Sequence, residues 1–390
     1  MRLRFTEIAQ IIDTNLVGDD GFVEYFKVDS RELVKNFKET CFASFEGRQS
    51  DGHSYIASLV NKGVRFFILS NSAFAPSKGS YILVPNVLDA LQKIAIEVRN
   101  RTSARVVGIT GSKGKTLTKD ALVHLLSKSE YKVASSPRSY NSQLGVALSI
   151  LQIKESTEVA IIEAGVSQKG EMSMLSEMIR PNIGILTHVG GTHAGAIGSI
   201  EEEIDEKLSL FFSAQVIFCN RTNPAARFIE DTNLNFRLID VPANLSGHYN
   251  ESLKSEEVEN NLNLALAVAE ELNIEKSRLK KQALSWKPTK NRLSLLEGNH
   301  DSIIVDDSYT NDLEALATAA ILCKKNSQGR RLIAVVTALE GEQNGVEVIN
   351  LLQGLGFQTI HCIGKGFDNS SHKNVKEFLK EVDSLDFRNA

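Results

Sequence analysis

The sequence predicts an α/β protein organised as three domains, and three observations lead there. Short apolar, β-rich runs alternate with amphipathic helical stretches along the whole chain. At 390 residues the chain exceeds what one hydrophobic core comfortably supports. Polar breaks near 100–103 and 287–291 divide it into pieces of ordinary domain size, 1–101, 102–288 and 289–390.

In chain order, the pattern predicts strands at 64–69 and 81–84 followed by a helix over 87–99. A strand at 105–109 then precedes a helix over 118–127. Further strands follow at 159–162, 183–186 and 216–219, and a long amphipathic helix at 257–272. The last third carries strands at 302–305 and 332–336 around a helix over 313–324. The stretch 234–256 mixes strand-like runs with Pro242, Asn244, Gly247 and Asn250 and is read as loop. Only 7 prolines are present, which implies domains that abut closely.

Composition narrows the function. With 44 Lys+Arg against 48 Asp+Glu the net charge is -4, so no chain-wide basic footprint for nucleic acid exists. No apolar run approaches the roughly 20 residues of a spanning helix, and mean hydropathy is -0.13. No apolar segment follows the basic start Met1-Arg2-Leu3-Arg4, which argues against a secretory leader. Cys41, Cys219, Cys323 and Cys362 are scattered without metal or disulfide spacing, as expected of reduced thiols in a cytoplasmic protein.

Residues 105–118 carry the strongest chemical signal: a strand, then Gly108, Gly111, Ser112 and Gly114, then Lys115-Thr116 opening a helix. Glycines let successive backbone N–H groups turn inward, and a helix start adds its positive dipole end, so the segment suits a polyphosphate. Lys115 would reach the β- and γ-phosphates and the Thr116 hydroxyl would ligate Mg²⁺. The strict spacing of a Walker loop is not met, because Ile109 stands where its first glycine belongs. The plainer alternative is a glycine-rich βα turn with a surface lysine. Glu163 ends the apolar run 159–162 and should emerge at the carboxyl edge of a sheet, where α/β proteins bind ligands. His193 lies in a glycine-rich loop after the strand at 183–186. Lys207 closes an acidic helix, where Glu203–Lys207 reads first as an ordinary i,i+4 pair.

The segment Thr110-Gly111-Ser112-x-Gly114-Lys115-Thr116 resembles the ATP loop of the Mur ligase family, and further matches follow in family order. They are Asn141-Ser142-Gln143-Leu144-Gly145, the Glu163 strand end with Ser167, the His193 segment, the Lys207 helix, Asn260, Arg292 and Asp307-Ser308-Tyr309. In the N-terminal piece, Asp29-Ser30-Arg31 and Phe45-Glu46-Gly47-x-x-x-Asp51-Gly52-His53 resemble the UDP-sugar-binding module of the D-alanyl-D-alanine-adding branch. The likeness is nearest to the form that some bacteria fuse to an alanine racemase.

The resemblance implies a central P-loop-type ATPase sheet, flanked by a UDP-sugar-binding α/β domain and a C-terminal Rossmann-like α/β domain. It implies ATP and Mg²⁺ as cofactors. UDP-N-acetylmuramoyl-tripeptide and D-alanyl-D-alanine would be joined through an acyl phosphate by a monomer that binds neither nucleic acid nor membrane. Catalytic roles fall to Lys115, His193 and a Lys207 carbamylated by CO₂, and metal ligation to Thr116, Glu163, His193 and Lys207. Nucleotide contacts fall to Gly111, Ser112, Gly114, Lys115, Thr116, Asn260, Arg292 and Asp307. Substrate contacts fall to Ser30, Arg31, Gly47, Asp51, His53, Asn141, Ser167 and Tyr309.

The chain departs from the pattern at Thr310, where Asn is usual, and at Ala338, where Asp is usual. Its 220–260 stretch and its end are short, and no racemase part follows. These departures keep open a ligase-like protein that binds nucleotide without turnover; a second alternative is a ligase with another acceptor, of folylpolyglutamate type. The Asp29-Ser30-Arg31 and Asp51-Gly52-His53 segments speak against the second.

Overall fold

Six parallel strands make the central sheet of the computed structural model. The structure describes residues 1–33, 35–47, 50–190, 198–220, 223, 225, 228, 237–241, 256–289, 291–298, 302–309, 313–337, 345–364, 367 and 372–381. Across the central sheet the strands run Arg237–Val241, Val216–Asn220, Ile183–Leu186, Arg105–Thr110, Val159–Glu163 and Val133–Ser135. The chain leaves Arg105–Thr110 for strands on one side and later returns to build the other. That strand is therefore the topological switch point, where open parallel sheets bind ligands.

Strand alternation sorts side chains between two cores. Val106, Ala160, Ile162, Leu186 and Ile217 enter one, beneath helices Val87–Arg101, Gln143–Ile150 and Glu171–Ile179. Val107, Ile109, Val159, Ile161, Ile183 and Ile185 enter the other, beneath helices Lys115–Ser127 and Glu256–Glu271. Burial on both faces is why these strands read as near-continuous apolar runs. Each fully buried Ile or Leu contributes about 1.5–3 kcal/mol.

The first core does not stop at the central sheet. Helix Val87–Arg101 is capped by the Asn86 side chain, which accepts from Leu88 N at 2.9 Å. Its Leu91, Ile94 and Val98 share one cluster with Phe5 and Ile8 of the N-terminal part and with Val146 and Ala147. The N-terminal sheet runs Leu16–Val17, Ser80–Leu83, Phe66–Leu69, Thr40–Ala43 and Tyr25–Lys27, parallel except at Leu16–Val17. Toward the C-terminus, Ser294–Glu297 pairs antiparallel with Ile303–Asp306, and Ile333–Thr337 pairs parallel with Thr359–Ile363 beside helices Leu313–Asn326 and Val346–Leu355.

One expectation is overturned within 234–256. Arg237–Val241 is not loop but the sheet's edge strand. As the edge strand it packs Leu238 on one core and Ile239 and Val241 on the other, yet its open flank leaves most of it only half-buried and tolerates the charges of Arg237 and Asp240, so the apolar signature is diluted. Residues 242–255 lie outside the described residues. Cys41, Cys219 and Cys362 are buried, Cys323 is half-buried, and all are free thiols. Among the described residues no helix is long and apolar enough to cross a membrane.

Candidate nucleotide and ligation site

The phosphate loop is built by its strand and its glycines. Gly111 has φ 144° and Gly114 φ 84°, conformations that side chains rarely adopt. A Cβ on Gly114 would come within 2.2 Å of Asn261 Oδ1, and one on Gly111 within 2.0 Å of Thr187 Oγ1. The loop is anchored to the neighbouring strand end, where Ser112 N donates to His188 O at 2.7 Å. Helix Lys115–Ser127 then starts directly at the Lys-Thr pair.

Lys115 is half-buried and folded over the loop, its Nζ donating to Gly111 O at 2.6 Å and to Ser112 O at 3.2 Å. Desolvation lowers its pKa to about 8, helped by repulsion from Lys207 and Arg292 and opposed by Glu163 and Glu203. Thr116 Oγ donates to Glu163 Oε2 at 3.0 Å and lies 3.1 Å from Ser139 Oγ. Arg292 Nη2 donates to that same Ser139 oxygen at 2.8 Å. Arg292 has no acceptor and the single Thr116 proton goes to Glu163, so the Ser139 proton must point at Thr116. The result is a directed chain, Arg292 to Ser139 to Thr116 to Glu163.

Glu163 is fully buried, and burial raises its pKa against the pull of Lys119, Lys115 and the Thr116 hydroxyl. Its Oε1 lies 3.1 Å from Lys119 Nζ but accepts no directed hydrogen bond. Lys119, 3% exposed, also donates to Ser136 O at 3.0 Å and to Arg138 O, with Asp120 Oδ1 at 3.3 Å. Across the loop, Lys207 and Glu203 are both buried, with Nζ 3.0 Å from Oε1. The i,i+4 pair expected from the sequence is therefore present, and it is a buried one. The same Glu203 oxygen accepts from Ser112 Oγ at 2.6 Å.

A hydroxyl and a buried carboxylate are hard oxygen donors that fit Mg²⁺, which takes few protein ligands and completes its shell with water and phosphate. The described residues hold no cluster of three metal-ligating side chains. His193 lies outside the described residues, as do Thr310 and Ala338.

Other expected residues take varied places. Asn260 is half-buried; its backbone oxygen accepts from Asn220 at 3.4 Å, and its buried Oδ1 has no partner among the described residues. The asparagine against the loop is instead Asn261, which accepts from Thr118 Oγ at 2.8 Å. Arg292 stacks 4.0 Å over the Tyr309 ring, and Asp307 accepts from Leu293 N at 3.0 Å. Asn141 O accepts from Gly165 N, while Ser167 is exposed with its N–H on Glu171.

In the N-terminal part, Ser30 and Arg31 lie in a short 3-10 turn and Arg31 is held by the Asp29 carboxylate, Nη2 to Oδ2 2.7 Å. Glu46 and Asp51 form an antiparallel bridge, and Gly47 N donates to Ser50 O at 3.0 Å. His53 departs from its expected role as a ring facing a ligand. It is 2% exposed, with Nδ1 2.6 Å from Asp51 Oδ1 and Nε2 accepting from Ser70 N at 3.2 Å. Both ring nitrogens hold the turn together, which is the plainer structural role.

Sequence reasoning missed Lys119, Ser139, Asn261 and Tyr140, whose hydroxyl donates to Glu32 at 3.2 Å. Lys119 had a signal: it follows Lys115 by one helical turn, on the same face. Ser139 and Tyr140 had none, since their partners are remote in sequence.

Residues 109–278 match the family described as the Mur ligase middle domain. The UDP-N-acetylmuramoyl-tripeptide–D-alanyl-D-alanine ligase of Bacillus subtilis (strain 168) is 31% identical over 207 residues, covering 52% of this chain and 44% of that relative. The same-named protein of Synechocystis is 27% identical over 367 residues, covering 86% and 77%. The chain spans about half the length of the first curated relatives it matches. A MurF ligase from Thermotoga maritima in complex with ADP has the same fold, with TM-score 0.74 at 21% identity over 94% of this chain and 92% of that one. A folylpolyglutamate synthase from the same organism is less similar, with TM-score 0.59 at 12% identity over 77% and 89%.

Proposed function

We propose that this protein is an ATP-dependent, Mg²⁺-requiring amide ligase that adds D-alanyl-D-alanine to a UDP-N-acetylmuramoyl-tripeptide during peptidoglycan precursor synthesis. The observation that carries the reading is the convergence of Lys115, the Thr116–Glu163 pair and Lys207 on one glycine loop at the switch point of a parallel sheet. The names of its relatives and its match to the Mur ligase middle domain support the choice of substrates. The better overlay on the MurF ligase than on the folylpolyglutamate synthase supports it over the alternative acceptor.

The chemistry must bring a carboxylate to a triphosphate, two anions that repel each other. A carboxylate oxygen attacks the γ-phosphorus and ADP leaves; the amine of the dipeptide then attacks the acyl carbon, phosphate leaves and the amine loses a proton. Mg²⁺ would supply charge neutralisation of the phosphates. Lys115 binds phosphate oxygens once it releases the Gly111 and Ser112 carbonyls. Thr116 and Glu163 would hold the cation, with His193 and Lys207 as further ligands, Lys207 after carbamylation. Preorganised cations of this kind stabilise charge as it shifts between oxygens. Arg292 and Asp307 border the nucleotide from the C-terminal unit, Asn260 its base, and Tyr309 the substrate. Ser30, Arg31, Gly47 and Asp51 line the UDP end, and Asn141 and Ser167 lie between. The units 1–101, 102–288 and 289–390 divide this work.

Phosphate release from ATP should require Mg²⁺, the UDP-muramoyl-tripeptide and D-alanyl-D-alanine together, and Lys115→Ala should abolish it. Nucleotide binding without turnover under any acceptor would refute the ligase reading. An undiminished rate in Lys115→Ala would remove the proposed site.

A further inference from the structure

We propose that Glu203 makes nucleotide binding at this loop conditional on a divalent cation, acting as a fixed negative charge built into the phosphate site. The inference rests on the nucleotide-binding reading above and adds a specificity-determining residue to it. Glu203 stands on helix Ile200–Leu208, is 1% exposed, and places one carboxylate oxygen 2.6 Å from Ser112 Oγ and 3.0 Å from Lys207 Nζ. Ser112 is a loop residue, and its hydroxyl also receives Gly190 N at 3.1 Å. The carboxylate is thus tied directly into the loop that would wrap the phosphates.

Folding alone does not account for it. A buried ion pair is a poor source of stability, and an apolar side chain at such a position generally serves packing as well or better. Glu203 and Glu163 also flank Lys115 from opposite sides. Glu163 ends the strand on one side of Arg105–Thr110; Glu203 meets the loop beside the chain leaving the strand on the other side. Both carboxylates act electrostatically on the Lys115 ammonium.

A polyphosphate entering without metal brings several negative charges against the buried Glu203 carboxylate, whose own burial leaves that repulsion only weakly screened. With a divalent cation bound, the same carboxylate becomes attractive. Glu203 therefore penalises the metal-free nucleotide and spares the metal complex, ensuring that Lys115 does not capture ADP or ATP in a form that cannot react.

The test is calorimetric titration of the whole protein with ADP, once in excess Mg²⁺ and once in EDTA, which needs no turnover. Glu203→Gln should tighten metal-free binding at least tenfold and change Mg²⁺-dependent binding less than threefold. Glu203→Asp, which keeps the charge, should retain the wild-type ratio of the two affinities. Glu203→Asp is also the independent arm should Glu203→Gln fold poorly, because a changed ratio with the charge retained would count against the charge as the cause. An unchanged ratio in Glu203→Gln, or equal weakening under both conditions, overturns the proposal in favour of simple packing. Wild-type protein that binds no ADP even with Mg²⁺ would instead bring down the nucleotide-site reading itself.

Discussion

Replacing Lys119 by methionine isolates the counter-ion of the buried carboxylate. The Lys119 ammonium lies 3.1 Å from Glu163 Oε1, and at an effective dielectric of about 20 that separation is worth about 5 kcal/mol of attraction. Removing one partner of such a pair typically costs about 3–5 kcal/mol, because the other charge stays buried. Glu163 has a way to lessen that cost. Burial already raises its pKa, and Lys119 is the strongest influence holding it down. In Lys119→Met the carboxyl should therefore take up a proton more readily in the folded state than in the unfolded one. A carboxyl whose folded pKa is raised stabilises the fold at low pH, and that contribution is lost as pH climbs past its unfolded value. The deficit of the variant relative to wild type should thus be smaller near pH 5, where only the lost bonds to the Ser136 and Arg138 carbonyls count, and grow toward pH 8. Thermal unfolding of both proteins across this range reads it directly, and Lys119→Arg should restore most of the loss. A deficit that is the same at both ends, or below about 1 kcal/mol throughout, would refute Lys119 as the charge that keeps Glu163 ionised.

Two further outcomes follow from the site. Because Lys115 titrates at about 8, the affinity for Mg²⁺–ADP should fall as pH rises from 7 to 9 and the ammonium is lost; calorimetry showing a flat profile would mean that another group holds the phosphates. His53→Ala deletes two buried contacts and a ring packed 5.5 Å from Phe74, so it should lower stability by about 2–4 kcal/mol. Unfolding should register that loss while ADP affinity stays unchanged, and a selective loss of nucleotide binding would contradict a role confined to the turn.

The phosphate loop was legible because its chemistry is local: a strand, glycines and Lys-Thr stand within fourteen consecutive residues, and backbone geometry does the rest. Glu163 was legible for a related reason, since a carboxylate that closes an apolar run must sit at a sheet edge. Asn260 and Asn261 show where such reasoning stops. Both precede the same apolar helical stripe, and only the close approach of Gly114 to that helix decides which of them meets the loop. Glu203 was visible as an i,i+4 partner, but its second contact lies ninety-one residues back at Ser112, beyond any periodicity argument. The edge strand Arg237–Val241 was lost because partial burial at the sheet's edge lets Arg237 and Asp240 interrupt its apolar pattern.

Segment 138–141 joins what the sequence keeps apart. Arg138 adopts φ 49° and gives its carbonyl to Lys119; Ser139 joins Thr116 to Arg292; Tyr140 reaches Glu32 in the N-terminal part; Asn141 receives Gly165 N. The hydroxyl chain within it can run in only one direction, from the Arg292 cation to the Glu163 carboxylate, and hydrogen bonds aligned between opposite charges polarise and strengthen one another. That direction also fixes Thr116. With its proton on Glu163 and one lone pair taken by Ser139, the hydroxyl keeps a single lone pair, which is the one a metal ion would use. Deleting the Ser139 hydroxyl would leave both charges in place yet free Thr116 to rotate, so the segment's contribution is the orientation of the ligand and not its presence.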